Sequence, residues 1–440
     1  MRRVLILGLV ALVSLLQAGS LPRRGTLGIS FRAVPESVRI ELKLGAQEAV
    51  QVASKANGLE ENDLVLGVNG KRFKSFGEWN DLVRNAATSS TVKLIVNRGG
   101  KEQEIEVKVQ PKPADKGDNY ETIYDDVLSN GRRIRTFVTK PKATGKRPVM
   151  FWIQGINASS VEAPLTGPSG TSKVLKAFSD DGWVTVRVEK PGVGDSEGGP
   201  ALLVGFDEEL DIYRQTLKTL DKYDFVDRSQ VYLFGHSMGG CHAPIIASEQ
   251  SVKGIISYGT VSDSWLEWQI KAARIQGPLT GQTRAQVDAE VRKTVAVYHY
   301  LYNEKRTIAW IKENRPDLRE SATETSADGV MMGVRSIKYM QEVNDNNFCD
   351  YWAKLGKTRV LALFGEADWI SLQSCQEQVA SAVNVANPGM ALYKVVDDSD
   401  HGFNRTNDFK DSFAKWGKPG NEFNPEIIKV MKEWIKSLSS

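Results

Sequence analysis

The amino-acid sequence predicts two folded parts: an α/β domain with a mostly parallel sheet, preceded by a small, mainly-β domain. From residue 119 onward, near-continuous apolar segments alternate with helical segments, a pattern typical of a parallel sheet covered on both faces. Before residue 110, short strand-like segments surround one helical segment. A polar, proline-bearing stretch at 111–118 separates the two patterns and is predicted to be a linker. A chain of 440 residues is long enough for two or three domains.

Residues 1–20 have the pattern of a signal peptide. Arg2 and Arg3 precede an apolar run from Val4 to Leu16, and small residues follow it. A membrane-spanning helix needs about 20 apolar residues, so this run is short for an anchor. We therefore expect export to the periplasm or the extracellular medium, with membrane attachment only if the segment stays uncleaved.

The charge balance and the metal-binding residue types argue against several classes of function. The net charge of +3, without a long Lys/Arg block, gives no support to nucleic-acid binding. With four histidines and no metal-binding motif, we expect neither a metal nor another cofactor. The three cysteines are too few and too scattered for a disulfide framework, and Cys349 and Cys375 form the only pair that we consider.

The first domain, residues 25–110, carries clear strand, turn and helix signals. Gly25–Phe31 is predicted to be a turn into a strand, and the apolar run from Leu64 ends at Asn69-Gly70, a strong hairpin signal. Ser75 is placed to cap a helix over Phe76–Ala86. Two further strands are predicted at Val92–Val96 and Glu104–Val109.

These segments resemble a PDZ domain of the permuted type found in bacterial periplasmic proteases. The resemblance rests on Leu27-Gly28-Ile29, on Gly58-Leu59 followed by Asp63, and on Val68-Asn69-Gly70. Two features depart from the family: Asn62 stands where the family usually has glycine, and the stretch from Arg32 to Glu48 is long and charged.

The resemblance to a PDZ domain implies a binding site for the C-terminus of another protein. Such a domain adds a peptide as a strand to its sheet edge and holds the terminal carboxylate with backbone amides. The amides around Leu27, Gly28 and Ile29 would hold it here. The alternative is that this domain only packs against the second domain and binds nothing.

The second domain, residues 119–440, begins with a predicted antiparallel pair at Tyr120–Ile123 and Arg133–Val138. Further strands are predicted at Pro148–Ile153, Trp183–Val188, Val231–Phe234, Gly254–Tyr258, Arg359–Phe364 and Leu392–Val396. Helices are predicted at Lys173–Asp180, Asp207–Lys222 and Pro425–Leu438. An aromatic-rich helical insertion at about 262–349 interrupts the alternation, and we expect it to form a cap over the domain.

The strongest chemical signal is Gly235-His236-Ser237-Met238-Gly239, which lies between an apolar strand and an apolar helix. This G-x-S-x-G motif in a strand–turn–helix setting resembles the nucleophile turn of the α/β-hydrolase superfamily. The loop from Lys190 to Gly198 also resembles a loop common in that superfamily. The resemblance covers residues 120–438 and implies that Ser237 is a catalytic nucleophile.

A serine hydroxyl is a weak nucleophile unless a base takes its proton. In this superfamily the acid and then the histidine follow the serine along the chain, which points to His401 in Asp400-His401-Gly402. Asp368 matches the usual spacing for the acid, with Glu366 as the runner-up, while Asp400 is interpreted as a loop charge. The oxyanion donors are expected to be the backbone amides of Met238 and Ile156, the latter in Gln154-Gly155-Ile156.

The expected activity is hydrolysis of a carboxylic ester through an acyl-enzyme. One alternative is a serine peptidase or aminopeptidase that captures its substrate with the PDZ-like domain, so the substrate is either a small ester or a short peptide. A second alternative is an inactive, peptide-binding adaptor. Two glycosylation sequons, beginning at Asn157 and Asn404, flank the predicted catalytic loops, and interpreting them as chance favours a bacterial envelope.

Overall fold

The computed structural model describes residues 21–438. The predicted signal peptide, residues 1–20, lies outside the described residues. Within the described part of the chain, no helix is both long enough and apolar enough to cross a membrane.

The first part of the described chain forms a small sheet with two helices. Its elements in chain order are β1 (Phe31–Arg32), α1 (Glu36–Glu41), β2 (Val50–Val52), β3 (Leu64–Val68), β4 (Lys71–Arg72), α2 (Phe76–Ala86), β5 (Thr91–Arg98) and β6 (Lys101–Lys108). The six-stranded sheet has the order β1-β2-β3-β5-β6, with β4 paired to β3, and its pairs are antiparallel. The short β1 is therefore an edge strand.

Local sequence signals explain most of this sheet. Ser75 caps α2 by accepting a hydrogen bond from the Glu78 amide, and α2 has the bounds that the sequence predicts. Asn62, which replaces the usual glycine, has φ = 72°, a left-handed conformation that asparagine tolerates better than most residues. Helix α1 was not predicted; it forms within the charged stretch from Arg32 to Glu48.

The second part of the chain is an α/β fold. Its strands and helices in chain order are β7 (Tyr120–Ser129), β8 (Arg132–Pro141), β9 (Arg147–Ile153), α3 (Gly170–Asp180), β10 (Val184–Val188), α4 (Phe206–Thr219), β11 (Val226–His236), α5 (Gly239–Glu249), β12 (Gly254–Tyr258), α6 (Trp265–Leu279), α7 (Arg284–Tyr298), α8 (Ile308–Asn314), α9 (Arg319–Thr325), β13 (Met331–Met332), β14 (Arg335–Ser336), α10 (Ile337–Asp345), α11 (Phe348–Ala353), β15 (Arg359–Gly365), α12 (Gln373–Ala386), β16 (Ala391–Val396), α13 (Phe409–Lys415) and α14 (Glu426–Ser437).

Eight of these strands form the central sheet, in the order β16-β15-β12-β11-β9-β10-β8-β7. Strands β7 and β8 are antiparallel, and the strands from β10 to β16 along this order pair in parallel. Successive side chains of β11 enter different cores, because Val231 and Leu233 pack on one face while Tyr232 and Phe234 pack on the other. This burial on both faces explains why the strands are continuously apolar.

Helices α6 to α11, with the short hairpin β13–β14, lie between β12 and β15. The sequence predicts a cap in this position. The aromatic side chains of the insertion are largely part of its own packing: Tyr302 and Tyr339 are buried, and they belong to the same apolar core as one face of the central sheet. The insertion is thus packed onto the sheet through a shared core.

The segment 111–118 connects the two parts but is firmly packed. Asp115 is buried and pairs with Arg187 at 3.0 Å, and its carboxylate also accepts hydrogen bonds from Tyr120 and the Leu165 amide. A linker is what the polar composition predicts, and the structure adds that this linker docks onto the α/β fold through a buried ion pair.

Direct hydrogen bonds also join the two parts. Arg84 of α2 donates to the carbonyl oxygens of Ser196 (2.9 Å) and Gly198 (3.3 Å). The Arg24 amide donates to the Asp195 carboxylate at 2.8 Å. The small sheet therefore docks on the loop that follows β10.

Candidate active site

Ser237 lies at a sharp turn between β11, which ends at His236, and α5, which begins at Gly239. Its φ of 54° is a strained backbone conformation for a residue with a side chain. The flanking glycines are required by close packing: a Cβ on Gly239 would lie 2.0 Å from the Ile153 carbonyl oxygen, and one on Gly235 would lie 2.6 Å from the Gly240 Cα. The G-x-S-x-G spacing thus has a steric cause.

Asp368 and His401 are joined by a hydrogen bond of 2.8 Å between Asp368 Oδ2 and His401 Nδ1. Asp368 follows β15, and His401 lies in the loop after β16, so both residues extend from the carboxyl ends of neighbouring parallel strands. Their side chains are 0% and 9% exposed. A hydrogen bond at Nδ1 leaves Nε2 of the ring to act on another group.

Ser237 and His401 occupy the same small region. The Ser237 amide donates to the Tyr258 carbonyl oxygen, and a Cβ on the next residue, Gly259, would lie 2.9 Å from His401 Nδ1. The ring of His236 lies 4.9 Å from the ring of His401. Within residues 21–438, no hydrogen bond joins the Ser237 hydroxyl to the imidazole. Catalytic hydrogen bonds are often long without substrate and shorten in the complex.

The environment of Asp368 keeps it ionised. Burial raises its pKa, but the positive charge of His401 and hydrogen bonds from His401 and Ser371 outweigh burial and hold the pKa below its ordinary value. Ser371 was not predicted as part of the site; it donates both its hydroxyl and its amide to the carboxylate. An ionised Asp368 stabilises a protonated His401.

The structure shows which of the candidate carboxylates contacts His401. Glu366, the runner-up acid, is exposed and accepts a hydrogen bond from the Asp398 amide, so it does not contact His401. Asp400 is not a loop charge as predicted: it is fully buried and accepts hydrogen bonds from the amides of Gly402 and Asn404. A buried carboxylate that accepts local amide bonds shapes the loop carrying His401. The sequence signal for it was the glycine and the asparagine that stand two and four residues after Asp400.

His236 and Tyr258 hold the histidine loop from the neighbouring strands. His236 Nε2 lies 2.8 Å from the His401 carbonyl oxygen, and the Tyr258 hydroxyl donates to the Asp400 carbonyl oxygen at 2.7 Å. Burial, followed by the charge of His401, lowers the pKa of His236 to about 3. His236 is therefore neutral at physiological pH and adds no positive charge beside His401.

The predicted oxyanion donors are free to bind a ligand. In the described part of the chain, neither the Met238 amide nor the Ile156 amide donates a hydrogen bond to another residue. Gly155 brings the second loop against Ser237, since a Cβ there would lie 3.0 Å from Ser237 Cβ. Gln154 fixes the loop by donating to the Asn157 side chain and the Ser159 carbonyl oxygen.

Two of the three residues predicted to bind a peptide, Leu27 and Ile29, line a cavity of about 1090 Å³ between the two parts of the chain, and Gly28 does not line it. From the small sheet it is lined by Leu27, Ile29, Phe31 and Trp79, and from the α/β fold by Ser159, Val193, Leu202 and Met331. Gly28, with φ = 65°, uses its amide locally by donating to Thr26 Oγ1. A second cavity of about 950 Å³ lies between α6 and α7. Neither of these two cavities is lined by Ser237.

No metal or disulfide chemistry is assembled in the described residues. Within 21–438, no group of three or more His, Cys, Asp or Glu side chains is placed to hold a metal ion. The three cysteines are free, so Cys349 and Cys375 do not pair. Cys375 Sγ lies 3.5 Å from the Asp263 carboxylate, and Cys349 Sγ lies 3.5 Å from the Ser262 carbonyl oxygen.

Comparison with known families agrees with both parts of the fold. The sequence model of the alpha/beta hydrolase fold matches residues 148–407, more than half of the chain, and a PDZ-domain model matches residues 25–109. The chain therefore belongs to the α/β-hydrolase fold family and carries an N-terminal PDZ domain. No curated protein matches the sequence.

Several solved structures are similar at low identity. They include Est1E from Butyrivibrio proteoclasticus (13% identity, TM-score 0.44, covering 72% of this chain and 98% of that one). The Pyrococcus furiosus esterase PF2001 has 12% identity and a TM-score of 0.44, with 74% and 97% covered. Acetyl xylan esterase 1 from Thermoanaerobacterium sp. has 14% identity and a TM-score of 0.42, with 74% and 86% covered.

Proposed function

We propose that this protein is a serine hydrolase that cleaves a carboxylic ester, with Ser237 as nucleophile, His401 as base and Asp368 as the acid. The observation that carries the proposal is the 2.8 Å hydrogen bond that His401 Nδ1 donates to the Asp368 carboxylate, beside a serine held at positive φ. A strained serine next to an oriented imidazole is the arrangement that acyl transfer requires.

The reaction proceeds in two halves. Ser237 Oγ attacks the ester carbonyl carbon while its proton passes to His401 Nε2, and the amides of Ile156 and Met238 bind the oxyanion. The intermediate collapses, the bond to the leaving oxygen breaks, and His401 returns the proton to that oxygen. Water, deprotonated by His401, then attacks the acyl-enzyme and releases the acid and Ser237.

A fluorophosphonate probe and a substrate panel test this proposal. The probe should label Ser237, identified by mass spectrometry of the labelled peptide, and p-nitrophenyl esters should be hydrolysed. If the probe does not label the wild type, the inactive adaptor is supported instead. Binding of C-terminal peptides would then be measured to test the adaptor. Labelling at another serine would overturn the assignment of the nucleophile.

A serine peptidase is the second candidate, favoured by the cavity between the PDZ domain and the hydrolase fold. Leu27 and Ile29 of the PDZ domain line this cavity together with Ser159, which lies three residues beyond the oxyanion donor Ile156. A peptide whose C-terminus is held by the PDZ domain would therefore run toward the hydrolase loops. The carboxylate donors left for it are the amides of Leu27 and Ile29, since that of Gly28 is used locally.

Parallel assays separate the two candidates. Aminoacyl anilides and free-acid peptides are compared with p-nitrophenyl esters at equal enzyme concentration. Ester cleavage alone supports the esterase. Peptide cleavage that weakens when the peptide C-terminus is amidated supports the peptidase, because amidation removes the carboxylate that a PDZ domain binds.

We further propose that the protein is exported to a bacterial envelope, by virtue of the signal-like pattern in residues 1–20. Mass spectrometry of the N-terminus in periplasmic and membrane fractions tests this. An N-terminus near residue 21 in the soluble fraction supports cleavage and release, and an intact Met1 in the cytoplasm contradicts export.

A further inference from the structure

Three charged side chains outside the triad are buried beneath the candidate oxyanion hole. Lys190 follows β10, Glu209 lies in α4 and Arg335 lies in β14 of the cap, and their side chains are 1%, 0% and 0% exposed. Lys190 Nζ lies 3.0 Å from Glu209 Oε2, and Arg335 pairs with Glu209 Oε1. Buried charges are costly unless they are paired, so this cluster invites a functional explanation.

Lys190 contacts the peptide unit that carries a predicted oxyanion donor. Its Nζ donates a hydrogen bond of 2.6 Å to the Gly155 carbonyl oxygen. That carbonyl and the Ile156 N–H belong to one peptide group, which is planar and trans, so the two point in opposite directions. Fixing the oxygen on one side therefore fixes the direction of the Ile156 N–H on the other.

The peptide held in this way lies against the nucleophile. A Cβ on Gly155 would be 3.0 Å from Ser237 Cβ and 3.5 Å from Ser237 Oγ. Glycine at 155 leaves the loop with unusual backbone freedom, so an external contact is needed to select one orientation. Lys190 supplies that contact from the buried side.

Glu209 and Arg335 in turn hold Lys190 in place. Arg335 also donates to the Ala201 carbonyl oxygen at 3.1 Å, which ties the cap to the loop before α4. His242 faces the cluster at 3.7 Å from Glu209, and burial lowers its pKa well below its ordinary value, so it is neutral. Burial, and then the charge of Arg335, lower the pKa of Lys190 well below its ordinary value. An amine and an ammonium both donate, so the contact with Gly155 does not depend on the charge.

We propose that Lys190 is a positioning residue that orients the Gly155–Ile156 peptide as one half of the oxyanion hole, and that Glu209 and Arg335 link this peptide to the cap. This inference rests on the proposed function. Lys190 does not touch the reacting atoms; it acts through a backbone amide that does.

The test compares Lys190→Met with wild type on a p-nitrophenyl ester and with a trifluoromethyl ketone inhibitor. The ketone forms a tetrahedral adduct with the serine, and the oxygen of this adduct occupies the oxyanion hole. We expect kcat to fall roughly 10- to 100-fold, somewhat less than the loss of a whole oxyanion donor, with KM changed less than about twofold. The ketone should bind weaker by the same factor as kcat/KM, and Lys190→Arg should recover part of the loss.

Arg187→Met is the matched control. Arg187 is an equally buried cation that pairs with Asp115 at 3.0 Å and donates to the Val161 carbonyl oxygen, but it does not contact the Gly155–Ile156 peptide. The Arg187→Met variant should lose thermal stability, while its kcat and its affinity for the ketone stay at wild-type values. If Lys190 has a purely structural role, Lys190→Met should behave like Arg187→Met, with lower thermal stability but unchanged kcat and ketone affinity.

Glu209→Gln keeps the test decisive if Lys190→Met does not fold. It leaves the Lys190–Gly155 contact with a weaker anchor, and we expect a several-fold loss in both kcat and ketone affinity. If the wild type is active and the folded variants keep its kcat and ketone affinity, the positioning role of Lys190 is overturned but the proposed function is not. A wild type inactive on all esters and peptides overturns the proposed function and this inference with it.

Discussion

Asp368 is oriented by hydrogen bonds from residues close by in its own loop, whereas the Gly155–Ile156 peptide is held from below by Lys190, which belongs to a cluster of buried charges on three separate elements. On the triad side, Asp368 accepts from the amides of Ile370 and Ser371. On the oxyanion side, Lys190, Glu209 and Arg335 come from a loop, a helix and the cap.

This difference shows two ways to fix a catalytic group. Asp368 is oriented chiefly within its own short loop, and His236 and Tyr258 add contacts from neighbouring strands to the loop of His401. The oxyanion loop contains glycine and depends on contacts that form only when the whole domain is folded. Two buried carboxylates on the two sides of the site also differ. The pKa of Asp368 is lowered, while burial raises the pKa of Glu189, beside the Gly155–Ile156 loop, to about 7.

The largest effect is expected from Ser237→Ala. Removing the nucleophile should lower kcat by roughly 10⁴ to 10⁶ while the fold and the thermal stability are retained. Steady-state rates on the best ester, with circular dichroism as the control for folding, check this. A rate equal to wild type would end the triad assignment.

Asp368→Asn should come next, with a loss of up to about 10⁴ in kcat, because an amide favours the wrong tautomer of His401. Glu366→Gln is the matched control on the same loop, and it should leave kcat within about twofold since Glu366 is exposed. If the control loses more than the Asp368 variant, the acid has been assigned to the wrong carboxylate.

Glu189→Gln should change how stability depends on pH. The pKa of Glu189 is raised from 4.5 to about 7, chiefly by burial, so the native state holds a proton that the unfolded state has lost between these values. Stability from this group therefore falls as pH rises through that interval. From pH 5 to 8, the wild type should lose about 2 to 3 kcal/mol more than the variant. Urea denaturation at both pH values measures the free energy of unfolding. An equal loss from pH 5 to 8 in the wild type and the variant would contradict the prediction.

The smallest effect is expected from Arg84→Ala at the contact between the PDZ domain and the loop after β10. Loss of its hydrogen bonds to Ser196 and Gly198 should cost about 1 kcal/mol and speed proteolysis near 111–118, with kcat on a small ester within about twofold. Arg72→Ala, an exposed arginine paired with Glu102 in the same domain, is the control. Proteolysis equal in both variants would show that Arg84 does not hold the domains together.

The sequence predicts those features that depend on short stretches of chain. Helix α2 begins at a serine cap and has the predicted bounds, and the glycines around Ser237 reflect the steric limits of one turn. The spacing also favours Asp368 over Glu366, and the structure places Asp368 against His401. These features can be predicted because the interacting residues are near each other in sequence.

Long-range burial was not predictable in the same way. Asp400 has the sequence setting of a loop charge, yet it is fully buried, in a loop whose backbone accepts a hydrogen bond from Tyr258 of β12. Lys190, Glu209 and Arg335 each look like ordinary surface residues in their segments. An ion pair between distant residues has no sequence period, so only the folded chain reveals it.

The sequence by itself determined the two-part organisation and the sharp turn at Ser237, and it predicted which residues form the candidate triad, because local sterics and the alternation of strands and helices encode them. The tertiary structure alone decided that the PDZ domain docks on the loop after β10, forming a shared cavity, and that Lys190 holds the Gly155–Ile156 peptide. Both depend on bringing together side chains far apart in the chain, where the exclusion of water makes a single hydrogen bond or charge pair matter.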